Sequence, residues 1–269
     1  MSQQSDAADP RIVEELKGYQ DRIAGLIPPA RIRRIGFPRP SARALELLAA
    51  LPDLSSMVAD VLDDFGLDTA IAAGALPPLA SGQRMVGPAV TSRHAPARHT
   101  VGHNIGSGKS PSLGGIDKVM LAQPGDVMVI DARGCAPASN FGGLVAVAAA
   151  THGIAGVVVD GFVRDVTRMR ELGLAVWSKG ATPRTGKFRN ELIEMNGVVE
   201  VGGVQVRPGD VIVGDSDGLV VIPMELVDEV AARATAAAAG EAKLIDALAR
   251  GATARQGVDI LPPSKWKMP

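Results

Sequence analysis

Two short stretches of the chain carry the residue types best suited to chemistry. Asn140-Phe141-Gly142-Gly143-Leu144 and Val159-Asp160-Gly161-Phe162-Val163-Arg164-Asp165 each lead from a strand-like run into the start of a helical one. Glycines at a helix start leave the backbone open to a ligand, and the unpaired amides of the first turn, with the helix dipole, favour a carboxylate or phosphate. Arg164 offers a guanidinium for the same anion or for a developing oxyanion. Asp165 offers a hard carboxylate oxygen suited to Mg2+ or Mn2+, ions that use few carboxylates and keep several waters. Gly142, Gly143, Leu144, Arg164 and Asp165 therefore read as an anion-plus-metal site. The spacing also allows a plainer reading, with Gly142-Gly143 as a close-packing device and Arg164-Asp165 as a solvated first turn.

Other polar residues make weaker cases. His94, His99 and His103 lie close along the chain, yet their spacing repeats no zinc pattern. Pro96 and several glycines mark that segment as loop-like, so substrate or interface contacts are the expected use. Gly106-Ser107-Gly108-Lys109-Ser110 looks like part of a phosphate loop, but His103 stands where the full pattern needs a glycine, which argues against nucleotide hydrolysis. Asp131, Asp160, Asp215 and Asp217 follow apolar strands and read as turn formers. Asp60 and Asp63 are helix-surface charges or pocket-edge residues, and Arg184 suits contact with substrate or a neighbouring subunit.

The elements that must position the glycines and the Arg-Asp pair read as α/β alternation. Pro124-Gly125-Asp126 turns into an apolar strand over 127–130; a small-residue helix covers 144–151; a buried strand covers 155–159. A helix over 164–172 stopped by Gly173 and a strand over 174–177 follow. In such strand-helix-strand units the strand C-termini share one sheet edge, so the first turns of both helices open toward one crevice. Val86 to Thr91 reads as an earlier strand. Hairpins are expected over 198–206, with Gly202-Gly203, and 211–222, with Asp217-Gly218, before a long alanine-rich helix over 224–249. The sheet is thus expected to be mixed. Pro208-Gly209-Asp210 repeats the earlier turn, which fits either related halves or common turn chemistry.

Upstream, 11–23 reads as a polar helical stretch, and Pro28-Pro29 and Pro38-Arg39-Pro40 forbid continuous helix through an apparent appendage over 1–40. Ser41 suits the cap of a helix through Leu51, and Ser55 or Ser56 the cap of a second one stopped by Gly66. The expected organisation is an N-terminal helical extension over 1–55, a catalytic domain over 56–223 and a C-terminal helix and tail over 224–269.

Composition narrows the function classes. With 269 residues and 46% hydrophobic content, a sizeable core is available. Twenty-eight basic residues against 29 acidic ones leave no net field for nucleic acid or an anionic membrane, and 3% aromatic content leaves few platforms for stacking bases. Cys135 is the one cysteine, read as structural; it excludes an internal disulfide and a cysteine-built zinc site. The start Met1-Ser2-Gln3-Gln4 lacks a secretory pattern, and no run reaches the roughly 20 apolar residues of a membrane span, so a cytoplasmic protein is expected.

Over about 56–223 the sequence resembles the family named for the regulator of ribonuclease activity A, which includes 4-hydroxy-4-methyl-2-oxoglutarate aldolases and oxaloacetate decarboxylases. The resemblance is carried by Asp60-Val61-Leu62-Asp63, Val86-Gly87-Pro88-Ala89-Val90-Thr91, Pro124-Gly125-Asp126-Val127, the spacing from the glycine pair to Arg164-Asp165, Thr182-Pro183-Arg184 and Asp215-Ser216-Asp217-Gly218. It implies a layered α-β-β-α sandwich of the swivelling β/β/α type with mixed sheets. It also implies a homotrimer or homohexamer with sites between subunits, and a divalent metal, Mg2+ or Mn2+, chelated by a small 2-oxo acid. On this resemblance Asp165 is the metal ligand, Arg164 the substrate arginine, and the amides of Gly142, Gly143 and Leu144 the receptor for the pyruvyl carboxylate. Glu241, by spacing, reaches the neighbouring subunit's site.

The implied activity is cleavage of a carbon-carbon bond through a metal-stabilised pyruvate enolate, of the oxaloacetate decarboxylase or 4-hydroxy-4-methyl-2-oxoglutarate aldolase type. Asp165 favours this enzyme branch over the ribonuclease-regulator branch, which can lack it. Two departures point the other way: the aldolases carry an aspartate where Gly143 stands, and many members carry an acid where Arg168 stands. The alternatives are a non-catalytic, protein-binding regulator of a ribonuclease, or a family lyase or hydratase acting on a different oxo acid.

Overall fold

A computed structural model describes residues 7–135 and 137–262. Its strands are β1 (Ala70–Ala72), β2 (Met85–Pro96), β3 (Val127–Asp131), β4 (Ser139–Phe141), β5 (Gly156–Val163), β6 (Val176–Ala181), β7 (Asn190–Met195), β8 (Val199–Val201), β9 (Val204–Val206), β10 (Val211–Gly214) and β11 (Gly218–Ile222). Its helices are α1 (Pro10–Leu16), α2 (Ala42–Ala49), α3 (Leu54–Asp64), α4 (Val101–Gly106), α5 (Asp117–Met120), α6 (Gly143–His152), α7 (Val166–Glu171), α8 (Val227–Ala249) and α9 (Ala254–Ile260).

The long strand β2 joins two sheets. Its first half pairs antiparallel with β10, from Met85↔Gly214 to Pro88↔Val211, and its second half runs parallel to β3, from Ala89↔Val127 to Arg93↔Asp131. The connected order is β1-β11-β10-β2-β3-β5-β4, with β6 on β5 and β7 on β2. The period-two alternation of side chains then sorts the core into layers. Val211, Val213, Val220 and Ile222 pack under α2, α3 and α8. Ile212, Leu219 and Val221 face the other way and meet Val127, Val129, Val158 and Trp177 between the sheets. Met128, Ile130, Val157 and Val159 turn outward to Ala146 and Ala149 of α6 and Met169 of α7. The expected α-β-β-α sandwich with mixed strand directions is therefore present. No helix of the described residues is long and apolar enough to cross a membrane.

Local chemistry explains most boundaries. Ser41 caps α2, its hydroxyl accepting the Ala44 amide at 3.1 Å. The cap expected from Ser55 or Ser56 is absent: α3 starts at Leu54, and Ser55 instead gives its amide and hydroxyl to Asp215, at 2.8 and 2.6 Å. The expected helix from Arg164 starts two residues later, because β5 extends to Val163 and Asp165 breaks the helical path with φ 63°. The two Pro-Gly-Asp turns close alike: Asp126 accepts the Gln123 amide and Asp210 the Arg207 amide, each at 2.7 Å. The strands that follow run in opposite senses along β2.

The N-terminal segment is woven into the domain. The expected helix over 11–23 stops at Leu16, and Ile12, Ile27, Ile32 and Ile35 enter the outer core with Met128 and Ile130. Arg31, Arg33 and Arg39 form ion pairs with Glu191, Glu194 and Asp126. Asp126 is fully buried, and burial raises its carboxyl above the usual range while Arg39 opposes the rise. Replacing Arg39 by methionine is therefore expected to destabilise the fold by roughly 1–3 kcal/mol, since it strands a buried hydrogen-bonded acceptor. Urea unfolding checks this; an unchanged midpoint would mean that the Gln123 amide alone holds Asp126.

Candidate functional site

The parallel strands β3, β5 and β6 end on one edge, and there a pocket of about 590 Å³ opens. Gly142, Gly143, Leu144 and Val145 at the start of α6 form one side of it, together with Arg164. The loop 185–187 forms a second side, and Arg22, Ala24 and Leu26 of the N-terminal segment a third. That last wall is tied down by Asp117, whose carboxylate accepts the Ala24 amide at 2.9 Å and the Leu26 amide at 2.6 Å.

The expected neighbours meet. Asp165 sits between β5 and α7 in the left-handed region, a strained position that aspartate tolerates better than most residues. Its Oδ2 accepts the Gly143 amide at 2.8 Å, so the carboxylate caps α6 from the neighbouring strand. The glycines make this approach feasible. A β-carbon on Gly142 would lie 3.1 Å from Arg164 Nε, and one on Gly143 only 3.0 Å from the Asp165 β-carbon. The Arg164 Nε lies 3.6 Å from Asp165 Oδ2, and among the described residues the guanidinium has no hydrogen-bond acceptor. The Gly143 amide is spent on Asp165, but those of Leu144 and Val145 have no intrahelical acceptor and remain for an anion. Gly143 and Arg168 also adjoin: a β-carbon on Gly143 would stand 3.3 Å from Arg168 Cδ, so the two departures from the family pattern fall at one spot.

Among the described residues no cluster of three or more His, Cys, Asp or Glu side chains forms a ready metal cage. Asp117 lines the pocket with both oxygens engaged by backbone amides, and Asp165, 46% exposed, offers its carboxylate in an adjoining cleft that shares Arg164 with the pocket. One fixed carboxylate oxygen beside an open pocket suits a hard ion that keeps waters and is completed by a chelating ligand, as Mg2+ and Mn2+ are, and does not suit structural zinc.

Other candidates fall elsewhere. Glu241 lies on α8, outside the pocket of its own chain. Asp60 and Asp63 are exposed on α3, and Arg184 is exposed beyond the pocket lining. Asp131 pairs with Arg133, and Asp160 pairs with Lys179 and accepts the Gly202 amide. Asp215 and Asp217 anchor the start of α3 through Ser55 and Ser56. His99 and His103 stack on each other at the surface, 4.2 Å between ring centres. His94 is not on a loop: β2 runs past Thr91 to Pro96 by pairing with β7, and the ring is buried.

His94 belongs to a polar row that sequence reasoning did not assign. Lys118 of α5 lines the pocket although its side chain is 2% exposed, and its Nζ lies 3.2 Å from His94 Nε2. His94 Nδ1 lies 2.9 Å from Asn140 Oδ1, which also accepts from Asn190 Nδ2 at 3.1 Å. Burial drives the Lys118 amine down from 10.5 to about 7, and burial, then the Lys118 charge, drives His94 well below 6.5. One signal was available: the charged pair Asp117-Lys118 interrupts an otherwise apolar run into the Pro-Gly-Asp turn.

A family model described as RraA-like, Aldolase/RraA, matches residues 55–221. A protein of Halalkalibacterium halodurans named "Putative 4-hydroxy-4-methyl-2-oxoglutarate aldolase" is 37% identical over 54% of this chain and 63% of its own length. Protein DlpA of Legionella pneumophila is 31% identical over 75% of this chain and 31% of its own length. The chain thus spans less than two thirds of either relative. Among solved structures, an uncharacterized protein of Pseudomonas syringae superposes with TM-score 0.70 at 26% identity, over 82% of this chain and 99% of that one. Streptomyces coelicolor RraAS2, described as an unusual member of the RNase ES inhibitor RraA family, superposes with TM-score 0.64 at 27% identity, over 81% and 100%.

The buried amine has a consequence for stability. Lys118 titrates near 7 when folded and near 10.5 when unfolded, so between these values the unfolded chain binds more protons and stability rises with pH. His94 acts in the same direction lower down, with stability falling as pH drops below 6.5. Lys118→Met should therefore be more stable than the parent protein at pH 7, with the gap narrowing by pH 10. Urea midpoints across that range measure it, and a constant gap would show that the amine titrates normally.

Proposed function

The chain belongs to the RraA-like family, Aldolase/RraA, and from that premise we propose that it is a divalent-metal-dependent lyase cleaving a carbon-carbon bond next to the carbonyl of a small 2-oxo acid. The observation that carries this reading is the meeting of Arg164 and the start of α6 in one pocket, with Asp165 bound to the Gly143 amide and lining an adjoining cleft that shares Arg164. The names of several relatives, given as 4-hydroxy-4-methyl-2-oxoglutarate aldolases, support the same class.

In this reading the free amides of Leu144 and Val145 receive the substrate carboxylate, aided by the helix dipole. Arg164, with no protein acceptor of its own, meets the negative charge that develops on the 2-oxo oxygen as the adjacent bond breaks. Asp165 holds Mg2+ or Mn2+, which when bound supplies Lewis-acid withdrawal of electron density from the carbonyl. The capping bond to Gly143 fixes the Asp165 carboxylate at the pocket edge, so ligand and metal sites are set by one local structure. Leu144, Val147 and Ile116 are exposed apolar side chains beside the pocket, which supports assembly as a homotrimer or homohexamer around it. Glu241 of a neighbouring subunit would enter the site only through such an assembly.

The experiment is a panel of 2-oxo acids, including oxaloacetate and 4-hydroxy-4-methyl-2-oxoglutarate, followed by pyruvate release with magnesium and with chelator. Turnover is expected only with metal. Asp165→Ala should nearly abolish it, and Arg164→Met should lower kcat by roughly 10²–10³-fold. An Asp165→Ala enzyme with unchanged metal-dependent turnover would overturn the assignment. The similarity to RraAS2 and the Gly143 and Arg168 departures favour a second reading, binding to a ribonuclease. Absence of turnover across the panel, together with binding of such an enzyme, would establish that reading instead.

A further inference from the structure

The pocket contains an amine for which the anion site and Asp165 have no use. A lysine buried to 2% exposure must either meet an anion or lose its charge. Among the described residues no carboxylate lies within ion-pair distance of Lys118. Its sequence neighbour Asp117 is engaged on both oxygens by the amides of Ala24 and Leu26. Besides that engaged carboxylate, the charged groups that share the pocket wall with Lys118 are the cations Arg22, Arg164 and Lys187, which oppose a further positive charge until an anionic ligand arrives.

The hydrogen bonds fix how the amine is presented. Asn140 Nδ2 donates to the Ala138 carbonyl at 3.2 Å, so its Oδ1 faces His94 and Asn190 as an acceptor. His94 therefore carries its proton on Nδ1, and its bare Nε2 accepts one N–H of Lys118. A neutral amine held this way keeps its other N–H and its lone pair for the pocket. The register shift between Arg93 and His94 in the β2·β7 pairing is the local irregularity that accompanies this placement of the ring.

We propose that Lys118, positioned by His94 and Asn140, is the proton-transferring residue of the lyase. The proposal rests on the reading of the pocket as a 2-oxo acid lyase and names the acid–base group that Gly143 and Arg168 do not supply. In aldol cleavage the neutral amine takes the C4 hydroxyl proton, the C3–C4 bond breaks, and its electron pair becomes the C2–C3 enolate. The resulting ammonium then gives that proton to C3, producing the methyl group of pyruvate and restoring the amine. When the departing fragment is carbon dioxide, only the second transfer is needed, and water replaces the proton delivered to C3.

The test isolates proton transfer from bond cleavage: exchange of pyruvate methyl protons for deuterium, followed by NMR with Mg2+ present. The parent protein should exchange them. Lys118→Met should lose roughly 10²–10⁴-fold in exchange rate while binding pyruvate as before, and the pH dependence arising near neutrality should vanish with it. Lys118→Ala should regain exchange on addition of methylamine or ethylamine, an effect that a purely structural role would not produce. Exchange by Lys118→Met at the parent rate, with Asp165→Ala inactive, would overturn the role of Lys118 and leave the lyase intact. No exchange by the parent protein would overturn the lyase reading and the lysine's role with it. Borohydride trapping of pyruvate on Lys118 would replace proton transfer with an imine and overturn the proposal as stated.

Discussion

The hydrogen bond from the Gly143 amide to Asp165 Oδ2 joins the start of one helix to the end of the strand that follows it in the sheet. Three features depend on it. It satisfies an amide that a helix start would leave unpaired, holds an aspartate in a costly left-handed conformation, and places Arg164 over the glycine pair. A side chain at Gly142 or Gly143 would press on the Arg-Asp pair, so the glycines and the charged residues form one structural unit. The parallel pairing of β4 with β5, Phe141 beside Val163, is what brings that unit together.

Buried carboxylates organise the rest of the molecule in a similar way. Asp126 takes Arg39, and Glu194 takes both Arg33 and Arg93 of β2, so acids of the sheet hold the N-terminal arginines 33 and 39 in place. Asp117 completes the set by gripping backbone amides at Ala24 and Leu26. The segment that precedes the family-matched region is consequently a wall of the pocket, and differences in that segment between relatives would alter pocket shape without touching the α6 start.

The same architecture is associated with named aldolases and with a protein described as an RNase inhibitor relative. Fold likeness does not choose between them, because function resides in the groups a site presents. Here those groups are a guanidinium ion-paired to the neighbouring Asp165, free helix amides and a buried amine around a cavity large enough for a small acid, with the Asp165 carboxylate in the adjoining cleft. A surface that only binds protein has no need to bury a lysine beside a histidine whose tautomer is fixed.

The sequence by itself determined the strand and turn pattern, the mixed α/β architecture and the Gly142-Gly143 to Arg164-Asp165 unit. Each of these follows from local periodicity, turn chemistry or a strand-helix-strand repeat within a short span. Helix starts were less legible, because tertiary partners intervened: Ser55 was drawn to Asp215 rather than to a cap. Only the tertiary structure decided that the N-terminal segment walls the pocket, that His94 lies in a strand, and that Lys118, His94, Asn140 and Asn190 meet. Those four residues come from four separate elements, and long-range strand pairing sets which of them share a face. Burial of a charge depends on what packs over it from elsewhere in the chain, and no periodicity in the charged residue's own segment records that.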